Sequence, residues 1–260
     1  MIEIKGNNNI AKVFTDVMDD VSKEQIKTLC DQEFVKGSQI RIMPDVHAGA
    51  GCTIGTTMTI KDKIVPNLVG VDIGCGMATY LLKEKDIDLK KLDEFIYAAI
   101  PAGMTVRETP HEYINNIDIE DLRCISQINK HRAIHSMGTL GGGNHFIEVD
   151  RDDDGNIYLV VHSGSRYLGK QVAEYYQEEA YKHLNNNSSS QLEETITRLK
   201  KEGRQAEIQK TIKELKSQVI TNIPKSLAYL EGILFENYIH AMKIVQKYAV
   251  YNRKAMAESM

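Results

Sequence analysis

Apolar and polar residues alternate along QIRIMPDVH (39–47), the pattern of a half-buried strand, and the alternation breaks at Pro44, which predicts a strand running into a loop. The next stretch, AGAGCTIGTTMTI (48–60), is first glycine-rich and then β-branched, as in a loop that feeds a strand. IVPNLVGVDIG (64–74) and MATYLL (77–82) carry β-formers on both sides of Asp72 and Cys75, which predicts a strand-to-strand turn there. DLKKLDEFIYAAI (88–100) switches to helical spacing, with Asp88 in the N-cap position. NIYLVVHSGS (156–165) reads as a buried strand ending in a Gly/Ser turn, and GKQVAEYYQEEAYKHL (169–184) as the helix that follows. The polar run NNNSSS (185–190) predicts a linker or loop. Beyond it, 191–220 is highly charged with two helical stripes: Leu192, Ile196 and Leu199, then Ile208, Ile212, Leu215 and Val219. Gly203 lies between them, so two helices in a hairpin are expected. After Pro224 an amphipathic helical pattern runs to AMAESM at residue 260.

These patterns predict an α+β protein: mixed sheets that carry glycine turns on one rim, with helices from 169 onward outside them. Composition adds little. Of 260 residues 42% are hydrophobic and 26% charged, which is ordinary for a folded protein, and the net charge of −4 gives no global attraction to nucleic acid. No apolar run reaches the roughly 20 residues needed to span a bilayer, and the first residues carry no secretory h-region. Cys30, Cys52, Cys75 and Cys124 form no CxxC pair, so a disulfide framework is not expected and a reducing, cytoplasmic setting is.

Four glycine-rich segments change the picture: PDVHAGAG (44–51), GVDIGCGM (70–77), GTLGGGNHFIEV (138–149) and VVHSGSR (160–166). Each presents a His, Asp or Cys from a turn in which glycine permits close approach of the backbone. Singly, each residue has an ordinary structural explanation: a turn aspartate, a buried cysteine, a strand-end histidine. Together Asp72, Cys75, His145 and His162 offer one carboxylate, one thiolate and two imidazoles, a set that suits Mn²⁺, Zn²⁺ or Co²⁺ rather than Ca²⁺ or Mg²⁺. Ser163, Ser165 and Arg166 precede a helix, an arrangement that binds phosphate, and Lys130 and Arg132 lie before the next turn. GGGN lacks the GKS/T ending of a P-loop.

PDVHAGAGCTIG, VGVDIGCGM, GTLGGGNHFIEV and VVHSGSRYLG, with the later YAVYNR (248–253), resemble the successive signatures of the RtcB-type RNA-splicing ligases. The resemblance implies a Mn²⁺- and GTP-dependent enzyme, with two Mn²⁺ in its complete form. Such an enzyme joins an RNA 3′-phosphate or 2′,3′-cyclic phosphate to a 5′-hydroxyl through a histidine–GMP intermediate, on tRNA halves or broken RNA ends. It implies that Asp72, Cys75, His145 and His162 are metal ligands, with Cys75 touching both ions, and that Asn144, Phe146 and Glu148 line the guanylate site. Arg166 and Arg132 would hold RNA phosphates, and Asp45 and His47 belong to a motif near the same pocket. An activating protein partner is left open. The family's further metal histidine, its guanylylated histidine and a late lysine lie in motifs that do not occur in these residues; His111, His131, His135, His183 and His240 lack that context. The expectation is therefore a chain without the family's C-terminal part and without its nucleophile. It would comprise a metal- and guanylate-site region over 1–184, a charged hairpin over 185–223 and C-terminal helices over 224–260. A metal-dependent phosphoesterase and a non-catalytic metal- or RNA-binding module are the alternatives.

Overall fold

The structure is a computed structural model that describes the backbone of residues 1–202, 204–209, 211 and 222–260, and the side chains of these except 186–194 and 206. Two compact units are formed, one from Met1–Val69 with Tyr176–Phe235 and the other from Gly70–Tyr175 with Glu236–Met260. The α+β class expected from the patterning is the one found, with a sheet in each unit.

In the first unit β1 (Ile2–Lys5) pairs antiparallel with β2 (Ile10–Val13), β2 pairs parallel with β3 (Ile40–His47), and β3 pairs antiparallel with β4 (Ile54–Met58). A parallel pair needs a crossover, and α1 (Asp20–Cys30) supplies it. Asp19 caps this helix by accepting from the Ser22 N–H at 2.8 Å. Ile26, Leu29 and Cys30 then pack against Ala11, Val13, Ile40 and Ile42 in one buried cluster. β3 does not stop at Pro44 as the alternation suggested. It continues to His47 through a register shift between Ile42 and His47, which accommodates a residue with no N–H to donate.

In the second unit β5 (Gly76–Leu81), β6 (Phe146–Arg151) and β7 (Ile157–Ser163) form an antiparallel sheet in the order β5-β7-β6. The central strand β7 is the one the sequence marked as buried, and Val161 is fully so. One face, with Tyr80, Leu159, Val161, Ile147 and Val149, packs on Ile96, Ile100 and Met256. The turn before β5 follows a short helix α2 (Pro66–Val69) rather than a strand. Proline is well suited to a first helical position, and four residues are too few to display a helical period. Asp88 caps α3 (Leu89–Ala99) as expected, accepting from the Lys91 N–H, and α4 spans Lys130–His135.

The helix expected from 169 begins at Arg166 and extends as α5 (Arg166–Lys201), so 185–190 is helical and not a linker. Asn and Ser are only mildly unfavourable in helices, and the flanking Tyr, Glu, Gln and Leu residues carry the turn pattern through them. Of the expected hairpin, Leu199 is buried. Gly203, Ile212, Leu215 and Val219 lie outside the described residues. The last helix, α6 (Gly232–Ser259), follows Pro224 as predicted. Among the described residues no helix is long and apolar enough to cross a membrane.

Candidate metal centre and anion pocket

Three of the four glycine turns meet in the second unit. The first is closed by the Cys75 N–H donating to the Asp72 carbonyl at 3.0 Å. Gly74 in this turn has φ +79°, and a Cβ there would lie 3.0 Å from the Gln246 Cα, so only glycine satisfies both backbone and space. The second turn brings His145 in ahead of β6. The third, at the end of β7, carries His162 and leads into α5.

Donor atoms of Asp72, Cys75 and His145 all lie within 4.8 Å of one another. His145 Nε2 is 2.8 Å from Asp72 Oδ2 and 3.6 Å from Cys75 Sγ, and His162 Nε2 is 3.3 Å from the same sulfur. The Leu140 carbonyl accepts from His145 Nδ1 at 2.9 Å, which fixes the proton on that nitrogen and turns the Nε2 lone pair towards the carboxylate and the thiol. A lone pair facing an anionic oxygen at 2.8 Å requires a cation between or upon them, either a proton or a metal ion. The His145 side chain is 5% exposed. His162 Nδ1 is buried with no hydrogen-bond partner. These mutually facing donor atoms, drawn from one carboxylate, one sulfur and two imidazoles, fit a borderline divalent ion.

Burial pushes the Asp72 carboxyl upward, but hydrogen bonds from His145 and Cys75, the charge of His145 and the Ser165 N–H outweigh it and hold the group below the usual range. The Cys75 thiol is raised to about 11, first by burial and then by the Asp72 carboxylate.

The Ser165 N–H of SGSR is engaged within the protein. Ser163 and Ser165 are fully buried, and the Ser165 N–H at the start of α5 donates to Asp72 Oδ1 at 3.0 Å. The anion held at this helix terminus is the protein's own carboxylate.

Beside the cluster is a cavity of about 470 Å³, lined by Asp72, His145 and Asn144 on one side and by Arg132, Arg166, Tyr167 and Lys170 on the other. Arg166 has φ +56° and is the one non-glycine residue in that region among those described. Its guanidinium fills the place that a Cβ on Gly141 would take, 1.7 Å from Nη1, and Gly141 itself has φ +87°. It donates to Thr139 Oγ1 at 3.2 Å. Among the described residues it has no carboxylate within ion-pair distance, although burial pushes its pKa down against the pull of Asp72. Arg132 donates to the Met104 carbonyl, stacks over Tyr167 with its guanidinium carbon 5.0 Å from the ring centre, and leaves a buried Nε without a partner.

Asn144 is exposed on the cavity wall, Phe146 meets the His162 ring edge-on at 5.0 Å, and Glu148 is exposed farther along β6. Asp45 and His47 belong to the first unit, on β3, where His47 Nδ1 lies 2.7 Å from the Asp45 carbonyl. Sequence reasoning did not single out Tyr167 and Lys170, whose position at the start of a helix beside SGSR was the available signal.

The second unit is thus an α+β body with a carboxylate–thiol–imidazole cluster, a candidate metal site, beside a cavity lined by Arg132, Arg166 and Lys170. A family profile described as tRNA-splicing ligase RtcB matches residues 25–118 and 110–260, and the chain belongs to that family. The chain is 32% identical over 244 residues to the RNA-splicing ligase RtcB of Escherichia coli K12, covering 85% of this chain and 52% of that protein. RNA-splicing ligase RtcB homolog 1 of Entamoeba histolytica is 29% identical over 200 residues, covering 56% and 38%. The tRNA-splicing ligase RtcB of Aeropyrum pernix is 29% identical over 189 residues, covering 52% and 39%. The chain spans about half the length, or less, of these curated relatives.

Proposed function

We propose that this chain carries the metal-binding and RNA-end-binding residues of a cytoplasmic, Mn²⁺- and GTP-dependent RNA ligase. The ligase joins 3′-phosphate or 2′,3′-cyclic phosphate ends to 5′-hydroxyl ends through a histidine-linked guanylate. The convergence of Asp72, Cys75, His145 and His162 from three turns carries this reading. Those four side chains would hold the metal, which when bound supplies charge neutralisation at the phosphates. The chain's own residues do the rest of what is assigned here. The Leu140 carbonyl keeps the His145 Nδ1 proton in place. Arg166 and Arg132 hold the RNA phosphate in the cavity, where neither guanidinium has a carboxylate partner among the described residues and their charge is left for an oxyanion. Asn144, Phe146 and Glu148 would line the guanylate site, Phe146 giving an apolar wall beside His162.

The test is end-specific binding. RNA with a 3′-phosphate should bind more tightly than the same RNA with a 3′-hydroxyl when Mn²⁺ is present, by fluorescence anisotropy at fixed salt. Arg166→Met should remove about tenfold or more of that preference. Equal affinity for the two ends would defeat the proposal.

Metal uptake should also depend on pH. A thiol raised to about 11 keeps its proton through neutral and mildly alkaline pH, and a metal binds only the thiolate, so uptake expels that proton. The apparent affinity for Co²⁺ should therefore rise by about tenfold per unit between pH 7 and pH 9. A flat profile would remove Cys75 from the donor set.

A further inference from the structure

Two consecutive polar residues interrupt the buried face of α6. Asn252 is fully buried and Arg253 is 9% exposed, amid Tyr248, Ala249, Ala255 and Met256. Buried polar groups persist where their hydrogen bonds are made, and here the side-chain bonds go to the three turns that carry the cluster. Asn252 Oδ1 accepts from the N–H groups of Gly138 at 2.8 Å and Thr139 at 3.1 Å. Its Nδ2 donates towards the Thr139 carbonyl at 3.2 Å, Ser163 Oγ at 3.1 Å and the Gly164 carbonyl at 3.1 Å. Arg253 Nη1 donates to the carbonyls of Gly74 at 2.9 Å and Ser163 at 2.7 Å. Gly74 precedes Cys75, Ser163 follows His162, and Gly138–Thr139 opens the turn that delivers His145. Among the described residues Arg253 makes no ion pair, so its guanidinium is engaged by backbone alone.

We propose that Asn252 and Arg253 are positioning residues for the cluster. The amide sets the spacing between the His145 turn and the end of β7, and the guanidinium ties the Cys75 turn to that same strand end. The amide is needed on both sides: an aspartate keeps the shape and the acceptor but has no N–H for the two carbonyls and the hydroxyl. Donor groups must be held to about 0.5 Å to bind a metal well, and to the bonds the turns make with one another through Asp72 and Ser163 these two side chains add an anchor on α6 that reaches all three.

This inference rests on reading the cluster as a metal site, and two readouts keep the two apart. Co²⁺ added to the 260-residue chain reports the site through its thiolate charge-transfer and d–d absorption bands. In the metal-free protein, NOEs between the His145 and His162 rings, whose centres are 5.5 Å apart, report the geometry without any ion. Asn252→Asp should raise the Co²⁺ Kd by about 10- to 100-fold, the range for loss of an outer-shell partner, shift the d–d bands and weaken the NOEs. Arg253→Lys should do the same to a smaller degree. Tyr248→Phe is the control: it is fully buried on the same helix and loses only its bond to the Ala133 carbonyl, so it should lower the Tm and move neither readout. The proposal is overturned if Asn252→Asp leaves bands and NOEs unchanged, or if Tyr248→Phe moves them equally at a comparable loss of Tm. Should Asn252→Asp fail to fold, Arg253→Lys decides by the same readouts. Should the unsubstituted chain give no charge-transfer band, the metal reading falls and the NOEs alone decide: lost in Asn252→Asp they support positioning, retained they overturn it.

Discussion

Cys75→Ala is expected to weaken Co²⁺ and Mn²⁺ binding by at least about 100-fold, since loss of an outer-shell partner already costs up to that much. The side chain is exposed, so its removal opens no cavity and the melting curve should stay within about 0.5 kcal/mol of the parent. The combination is diagnostic: affinity collapses by calorimetric titration while stability holds. Cys30 and Cys52 make the natural comparison, because their thiols are also raised to about 11, chiefly by burial. Both sit in the apolar cluster of the first unit, so alanine there should lower stability and leave metal binding alone. A Cys75→Ala protein that bound Co²⁺ with its charge-transfer band intact would mean that another sulfur does the work.

Gly164→Ala should have an effect of similar size by a different route. A Cβ on Gly164 would lie 2.0 Å from Asp72 Oδ1 and 2.4 Å from Oδ2. The obstacle is the end of a side chain and not backbone, so the fold can yield by swinging Asp72 out. That movement breaks the bonds from the Ser165 N–H and from His145, and leaves a helix terminus and a buried imidazole without their anion. The stability cost is then about 1.5–3 kcal/mol, as for other hydrogen bonds to charged groups. Metal affinity should fall as far as in Asp72→Asn. Urea unfolding and Co²⁺ titration on the same preparations separate the two effects. An alanine variant with unchanged metal affinity would show that the carboxylate is not part of the donor set.

Much of this site could be read from the sequence because its chemistry is local. Glycine turns announce themselves by composition, and a His, Asp or Cys inside one is visible without knowing what it meets. That three of the four turns meet in one body depends on the antiparallel register of β5, β7 and β6, which sets Met77 opposite His162 and Phe146 opposite the same residue. Pattern alone does not give that register. The sequence also misled where periods are short or signals weak. Four residues at Pro66–Val69 cannot reveal a helix, and the Asn/Ser run at 185–190 has loop composition but only weak helix penalties. SGSR looked like an open phosphate cradle, and only the fold reveals that Asp72 accepts from its Ser165 N–H. Asn252 and Arg253 were visible as part of a family-like motif, yet their bonds run to segments more than 80 residues away.

Those long-range bonds also impose an order in time. The contact from Asn252 to Gly138 closes a span of 114 residues, and that from Arg253 to Gly74 closes 179. Closing such spans is not prohibitively expensive, because the entropic cost grows only with the logarithm of length. It cannot happen, however, until α6 has been made and has docked. A chain emerging in order exposes Asp72, Cys75, His145 and His162 well before the residues that fasten their turns together. Assembly of the cluster therefore waits on α6, and an ion met earlier encounters separate donors and no cage.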